Sequence, residues 1–373
     1  MSIIIFIIIL GILIFSHELG HFLAAKRVGA RVDEFGLGFP PRVWGIKRGE
    51  TIYSINWLPF GGFVKIFGED PEPVDVRHPQ EQNRSLAYKP KYQQAIVLVA
   101  GVTCNIILAW LLMTLGFATV GLPTSESEVG DKYQIKNAAL MVTAVLPESP
   151  ASEAGLKAGD KILSLTSSDG VEVLQTPSGE VAREFIAKST GPIGLKYEAT
   201  NGEIKEVNVT ATPGLIANEP EKPAIGIGLE RVGLLRLPLY LAPIEGARAT
   251  LNLTLGTAGG FYQLISSLIK GDRTILGQIT GPVGLAGMVG DAKGLGLAYL
   301  ISFTALISIN LAILNLIPFP ALDGGRLLFL LIEKIKGSPI TPKVANTANL
   351  IGFALLILLM LAVTYKDIVR LVS

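Results

Sequence analysis

The sequence predicts a multi-pass α-helical membrane protein with four transmembrane helices, a membrane-associated β-hairpin loop and an inserted α+β domain. Hydrophobic residues make up 49% of the 373 residues and charged residues only 17%, whereas soluble globular chains carry about 25% charge. The mean hydropathy is +0.48. Four apolar runs are each long enough to cross about 30 Å of hydrocarbon as a helix of roughly 20 residues.

The four predicted transmembrane helices cover about residues 2–25, 95–122, 298–317 and 349–365. The first begins MSIIIFIIILGILIF and lacks the basic start and the clean cleavage site of a signal peptide, so we expect a retained helix. The segments 26–93 and 318–348 hold eleven and four Lys and Arg residues. Since cytoplasmic loops are enriched in these residues, both segments are expected in the cytoplasm. The termini and the segment 123–297 are then extracytoplasmic, and the chain is expected in the plasma (inner) membrane.

The predicted domain organisation follows from these elements. Seven segments are expected in chain order: the first transmembrane helix (1–25), a cytoplasmic β loop (26–94), the second transmembrane helix (95–122), an extracytoplasmic α+β domain (123–232), an interfacial amphipathic region (233–297), the third transmembrane helix with the motif that follows it (298–330), and a loop with the fourth transmembrane helix (331–373).

Turn residues and apolar alternation predict strands in both polar segments. In the cytoplasmic loop, residues 51–58 and 61–68 flank Pro59-Phe60-Gly61, which is typical of a hairpin. Its apolar side chains, and its position between two spans, suggest that it dips towards the membrane. The outer domain shows short strands and one amphipathic helix at 180–189. The run 245–270 is apolar but interrupted by polar residues, so we expect it to lie at the membrane surface rather than span the membrane.

The strongest chemical signal is His17-Glu18-Leu19-Gly20-His21 in the first apolar run. Residues four apart lie on one face of a helix, where two imidazoles can hold one Zn²⁺ and Glu18 can accept a proton from the attacking water. His17 lies about 21 Å along the helix from Ile3 at 1.5 Å per residue. Ionisable groups at such depth are costly in hydrocarbon unless they are partnered, so a functional role is the default interpretation.

A catalytic zinc needs a third protein ligand, and three carboxylates are candidates. Asp33 and Glu34 follow the first helix closely, an arrangement suited to a soluble metalloprotease. Asp323 follows the third run, where two prolines end the helix and a Gly pair allows a tight turn. Asp323 is expected at the same cytoplasmic-side depth as the histidines, and this geometry favours it over the other two.

Taken together, these motifs resemble the site-2 proteases, intramembrane zinc metalloproteases, and more closely their bacterial RseP-like branch. HELGH at 17–21 and NLIPFPALDGG at 315–325 match that family's two metal-site motifs, and EFGLGFPPRVW, GGFVKIFGE, RSLAYKP and GPVGLA match further segments in the same order. The resemblance implies His17, His21 and Asp323 as Zn²⁺ ligands and Glu18 as the catalytic base. It also implies that Asn315 stabilises the tetrahedral intermediate or positions the substrate.

The resemblance also suggests substrates. These are single-pass transmembrane proteins in the lipid bilayer, such as anti-sigma factors or signal-peptide remnants, cleaved within or near their transmembrane helix in regulated intramembrane proteolysis. SPASEAGLKAGDKIL at 149–163 is similar to the PDZ domains of bacterial proteases, so the outer domain is expected to be one PDZ domain that binds peptide or acts as a size filter. The residues expected to contact substrate are Gly61, Gly62, Phe63, Asn105, Ile227, Gly228 and Leu229. The family has Ala-Gly-Pro where this chain reads Ala100-Gly101-Val102, so this chain lacks the proline that would kink the second helix there.

Composition excludes some classes and leaves three alternatives. The net charge of +1 implies no affinity for nucleic acid, and Cys104, the only cysteine, excludes a disulfide framework or a Cys-rich metal site. One alternative is a membrane-anchored zinc protease that uses Glu34 as third ligand outside the hydrocarbon. The second is a non-catalytic scaffold, against which Glu18 argues. The third is a transporter, for which no inverted repeat is visible.

Overall fold

The computed structural model describes residues 2–69, 79–147, 149–168, 173–175, 179–215, 221–271 and 280–372. The helices are α1 (Ser2–Arg27), α2 (Pro79–Gln82), α3 (Lys91–Ala118), α4 (Glu126–Val129), α5 (Pro150–Glu153), α6 (Gly179–Lys188), α7 (Ala242–Ile269), α8 (Pro282–Leu295), α9 (Leu297–Leu316), α10 (Asp323–Lys336) and α11 (Pro342–Val372). The strands are β1 (Val32–Arg48), β2 (Thr51–Ile66), β3 (Leu122–Ser125), β4 (Lys136–Val145), β5 (Lys161–Thr166), β6 (Val173–Gln175), β7 (Pro192–Glu198), β8 (Ile204–Thr210) and β9 (Ile227–Leu235).

Within the described residues, four helices are long and apolar enough to cross a membrane: α1, α3, α9 and α11. They correspond to the four predicted runs, although α11 begins at Pro342 rather than near 349. Proline is favoured at the first helical position because its missing N–H would be unpaired there in any case. Helix α7 has 28 residues but is not among the four. Helix α3 is one continuous helix through Val102.

The chain divides into two compact units. The first comprises residues 1–112, 246–287 and 304–373, and the second comprises residues 113–245 and 288–303. Helices α3, α8 and α9 each contribute residues to both units.

In the first unit, β1 and β2 form a sheet, and the hairpin predicted within it is correct in its reversal of direction but wrong in its pairing. Residues 52–55 and 62–65 of β2 run in opposite directions, so the chain reverses between them, around Pro59-Phe60-Gly61, as predicted. The two arms do not pair with each other, because residues 34–37 lie between them. A further reversal lies between Arg48 and Thr51. Gly49 has φ +62° at this turn, a conformation that glycine adopts without a steric penalty. Residues 34–37 of β1 pair with residues 62–65 and also with residues 52–55 of β2. The segment 62–66 therefore lies at an edge of this sheet.

The second unit is built on a seven-stranded sheet with the order β3-β9-β4-β5-β7-β8, in which β6 pairs with β5. Its core consists of alternate strand residues and the apolar face of α6, including Leu140, Ile162, Leu195 and Phe185. Ser149 caps α5 by accepting a hydrogen bond from the Ser152 N–H at 3.3 Å, with Pro150 in the first turn. The unit is thus an α+β domain.

Candidate metal centre

Helix α1 buries one face, and both histidines of the HELGH motif lie on it. The buried residues Leu13, His17, Gly20 and His21 follow helical spacing, which places the two imidazoles one turn apart. A Cβ atom built at Gly20 would lie 2.3 Å from the carbonyl oxygen of Ala100, so α1 and α3 cross with their backbones in close contact. Small residues permit such close approach between membrane helices.

The carboxylate of Asp323 completes a group of three donor atoms. The Nε2 atoms of His17 and His21 lie 3.1 Å apart. They lie 3.0 Å and 3.3 Å, respectively, from Oδ2 of Asp323. A tetrahedral zinc with donors at about 2.0–2.1 Å separates any two of them by about 3.3 Å. Both the spacing and the chemistry of these donors therefore fit one Zn²⁺ ion.

The backbone that follows α9 explains how Asp323 reaches this position. Helix α9 ends at Leu316, and Asp323 is the first residue of α10. A Cβ atom at Gly324 would lie 2.1 Å from the Ile317 carbonyl oxygen, and one at Gly325 would lie 2.3 Å from that of Phe319. The two glycines thus allow the preceding loop to pack directly against the start of α10, and this packing fixes the position of the Asp323 carboxylate.

The side chains around the three donors orient them. The Nδ1–H group of His21 donates to the carbonyl oxygen of Val97 at 2.8 Å, which leaves Nε2 free as a ligand. Nδ1 of His17 lies 3.4 Å from the side-chain nitrogen of Asn105. A Cβ atom at Gly101 would lie 2.4 Å from Nε2 of His21 and 2.8 Å from Cε1 of His17, so this glycine makes room for both rings.

Asp323 lies outside the four candidate spans, and two opposing effects set the pKa of its carboxyl group. Burial raises this pKa, whereas the neighbouring imidazoles of His17 and His21 lower it by more, and the net shift is well below the usual range. The carboxylate form, which is the form that binds metal, is therefore favoured.

Glu18 faces the same space as the donors. It lines a cleft of about 350 Å³ together with His17, His21 and Asp323. The other wall is formed by residues 62–66 of β2, and a Cβ atom at Gly62 would lie 3.2 Å from Cγ of Glu18. The cleft has room for several water molecules. A carboxylate, an open space and an edge strand thus meet beside the donor group.

The other predicted residues lie in several places. Gly62 and Phe63 line the cleft, whereas Asn315 is half-buried near the end of α9 and is not among the described residues that line it. Its catalytic role stays a prediction. Gly61 has φ +94° and packs against the ring of Phe39. Asn105 is fully buried.

The alternative third ligands form other contacts. The Glu34 carboxylate accepts hydrogen bonds from Ser54 at 2.6 Å and from Arg42 at 2.7 Å. The Asp33 carboxylate accepts one from Arg31 at 2.7 Å. Among the described residues, the group of donors close enough to share a metal is His17, His21 and Asp323.

The residues expected to line a peptide groove lie together in the second unit. Leu229 is buried, and its carbonyl oxygen accepts a hydrogen bond from Nη2 of Arg183 at 2.8 Å. Ile227 and Gly228 are partly exposed on β9. The Arg183 side chain of α6 thus reaches the backbone of β9, and a peptide groove at this position stays a prediction.

Comparison with known proteins identifies the family. The model of peptidase family M50 matches residues 5–359. The chain belongs to peptidase family M50. This M50 member is 35% identical to a putative zinc metalloprotease of Clostridium perfringens (strain 13 / Type A), over 96% of this chain and 95% of that one. It is 30% identical to the regulator of sigma-W protease RasP of Bacillus subtilis (strain 168), over 99% of each chain. It is 31% identical to the zinc metalloprotease RasP of Geobacillus kaustophilus (strain HTA426), over 98% and 97%.

The M50 member is therefore a zinc metalloprotease of the site-2 protease type and an integral membrane protein. The expected enzyme class and cofactor are confirmed. Sequence reasoning missed the residues that bring the helices together, Gly20, Gly101 and Val97. Their contacts depend on which helix crosses which, and the only local signal is the Ala100-Gly101 pair in an otherwise bulky run.

Proposed function

We propose that this M50 member hydrolyses peptide bonds within or near the transmembrane helix of single-pass membrane proteins. In this proposal, His17, His21 and Asp323 hold Zn²⁺ and Glu18 is the catalytic base. The observation that supports it most is the donor group itself, because two of its three donors belong to an apolar helix of span length. Such groups are costly within a bilayer, and metal binding compensates that cost.

Bound zinc supplies polarisation of the scissile carbonyl and a lower pKa of the attacking water. Glu18 accepts the proton of that water and passes it to the leaving amine. Its position in the cleft, beside the donor group, supports this role. Asn315 contributes to stabilising or positioning the reacting peptide.

The edge of β2 holds unwound substrate in extended form in this proposal. Residues 62–66 line the cleft, and their pairing partners in the described structure are on one side only, in β1. An unpaired strand edge binds extended peptides by main-chain hydrogen bonds. Gly62 and Phe63 would contact the substrate next to Glu18.

The proposed location of the sheet is the membrane surface. Strands β1 and β2 of this sheet expose large apolar side chains, including Val43, Trp44, Ile55 and Trp57. Such a patch on a protein with several spans is suited to contact with lipid. We place the metal centre near the cytoplasmic side of the plasma membrane, because Lys26 and Arg27 follow the donors at the end of α1.

For substrates, the name of the B. subtilis relative, a regulator of sigma-W protease, supports single-pass anti-sigma factors as one class. The outer α+β domain acts as a PDZ domain that either binds peptide through Ile227–Leu229 or limits access by size. The Leu229 carbonyl oxygen already accepts a hydrogen bond from Arg183, which supports the size-limiting role over strand addition at this acceptor.

The proposal is tested with purified protein, a model transmembrane substrate and three variants. Glu18→Gln should keep about one zinc per chain and lose cleavage by a factor of 10² or more, because it removes the general base. Asp323→Ala should lose zinc, whereas Glu34→Ala should retain it. Mass spectrometry of metal content and of cleavage products gives both readouts.

Full cleavage by Glu18→Gln would refute the role of that residue. Zinc retained by Asp323→Ala but lost from Glu34→Ala would favour the surface-acting alternative that uses Glu34.

A further inference from the structure

Asn105 is a buried amide on α3 whose surroundings do not suit a residue that contacts substrate. Its exposed fraction is 0%, and its side chain faces His17 rather than the cleft. Its backbone carbonyl oxygen accepts a hydrogen bond from Oγ of Ser308 on α9 at 2.8 Å, and Ser308 is also fully buried. Asn105 is therefore held between α1 and α9.

The two histidines differ in how their second ring nitrogen is satisfied. His21 donates from Nδ1 to a backbone carbonyl oxygen, that of Val97. For His17, the polar group next to Nδ1 is the side-chain amide of Asn105, at 3.4 Å. A neutral imidazole that binds metal through Nε2 carries its proton on Nδ1, which must then donate to an acceptor.

One orientation of the Asn105 amide meets this requirement and the other does not. With Nδ2 toward His17, two donors face each other, and Oδ1 stays buried with no hydrogen-bond partner among the described residues. Rotation of the amide by 180° exchanges two atoms of nearly equal size and turns the oxygen toward the Nδ1–H group. In the rotated amide, one hydrogen bond satisfies both the Nδ1–H group of His17 and the Asn105 oxygen.

We infer that Asn105 is a positioning residue for zinc: its Oδ1 accepts a hydrogen bond from Nδ1–H of His17, which keeps Nε2 unprotonated and directed at the metal. This inference rests on the proposed zinc site and replaces the expectation that Asn105 contacts substrate. Through the Ser308 bond, the same residue links α9, α3 and α1.

The test compares zinc affinity in the full-length protein by competition with a chelator at pH 7. Asn105→Leu, which has similar volume and no acceptor, should bind zinc about 10–100-fold more weakly, the usual effect of losing such a partner. Asn105→Asp keeps an acceptor oxygen and should stay within about threefold of the wild type. Asn310→Leu is the matched control, because the Asn310 amide bonds to the Leu306 carbonyl of its own helix, and its zinc affinity should not change.

The zinc affinity of each variant is compared with that of the wild type, and thermal unfolding shows whether each variant is folded. Wild-type zinc affinity in Asn105→Leu, or equal loss in Asn105→Asp and Asn105→Leu, would overturn the inference. If Asn105→Leu does not fold, Asn105→Ala replaces it in the same comparison. A wild-type protein that binds no zinc would instead refute the proposed function, so the two failures are distinguishable.

Discussion

A methyl group added at Gly101 should displace the two histidine rings of the metal centre. In Gly101→Ala, the added Cβ would lie 2.4 Å from Nε2 of His21 and 2.8 Å from Cε1 of His17. Ordinary contact between such atoms needs about 3.5 Å. At least one ring must therefore move by about 1 Å, or α1 and α3 must separate by a similar amount.

That displacement can be compared with what zinc tolerates. Ligand distances in zinc sites stay within about 0.2 Å of their usual values, so a shift of about 1 Å removes one donor from the metal. We expect zinc affinity to fall by a factor of about 100 or more. The substitution should not destabilise helix α3 itself, since Ala is favoured over Gly in a helix interior by about 1 kcal/mol.

The assay is zinc content per chain after equilibration with a chelator, measured with the thermal unfolding of the same samples. Gly11→Ala is the matched control, because no atom of the described residues, apart from the neighbouring backbone of α1, lies within 4 Å of a Cβ at Gly11. It should keep wild-type zinc. If Gly101→Ala binds zinc as tightly as the wild type, then the described contact of α3 with the two rings is wrong.

Two further predictions concern stability. Gly20→Ala should lower the melting temperature of the zinc-free protein, because its Cβ would lie 2.3 Å from the rigid Ala100 carbonyl oxygen, and such overpacking costs about 1–3 kcal/mol. Gly256→Ala is the control and should not lower it, because a Cβ there has no described neighbour within 4 Å. Equal melting temperatures of Gly20→Ala and the wild type would contradict the close crossing of α1 and α3. Hydrogen bonds from Lys26 and Arg84 lower the pKa of Glu50 in the folded protein. The stability that ionised Glu50 contributes is therefore complete above its unfolded-state pKa of about 4.3 and is lost as the pH falls through its folded-state pKa. The melting-temperature difference between Glu50→Gln and wild type should therefore shrink in acid, and a difference independent of pH would contradict this.

The parts of the fold that sequence predicted are those that depend on local pattern. The four long apolar helices follow from the length of apolar runs, and the pairing of His17 with His21 follows from a spacing of four residues on a helix. The strands of the α+β domain follow from alternation and turn residues. Each of these signals lies within about twenty consecutive residues.

The parts that sequence did not predict depend on the meeting of distant segments. The two arms beside Pro59-Phe60-Gly61 were expected to pair with each other, but residues 34–37 lie between them, and a second reversal lies at Gly49. The contacts of Gly101 and Asn105 with the histidines depend on how α3 crosses α1. No pattern within either helix specifies that crossing.

The distance along the chain between the proposed ligands has a consequence for biosynthesis. His17 and His21 leave the ribosome early, whereas Asp323 follows 306 residues after His17. If all three are needed to hold the metal, a nascent chain with its first spans already in the membrane has an incomplete site. Proteolytic activity would then begin only when the loop after α9 packs against α10, which protects neighbouring membrane proteins from an unfinished enzyme.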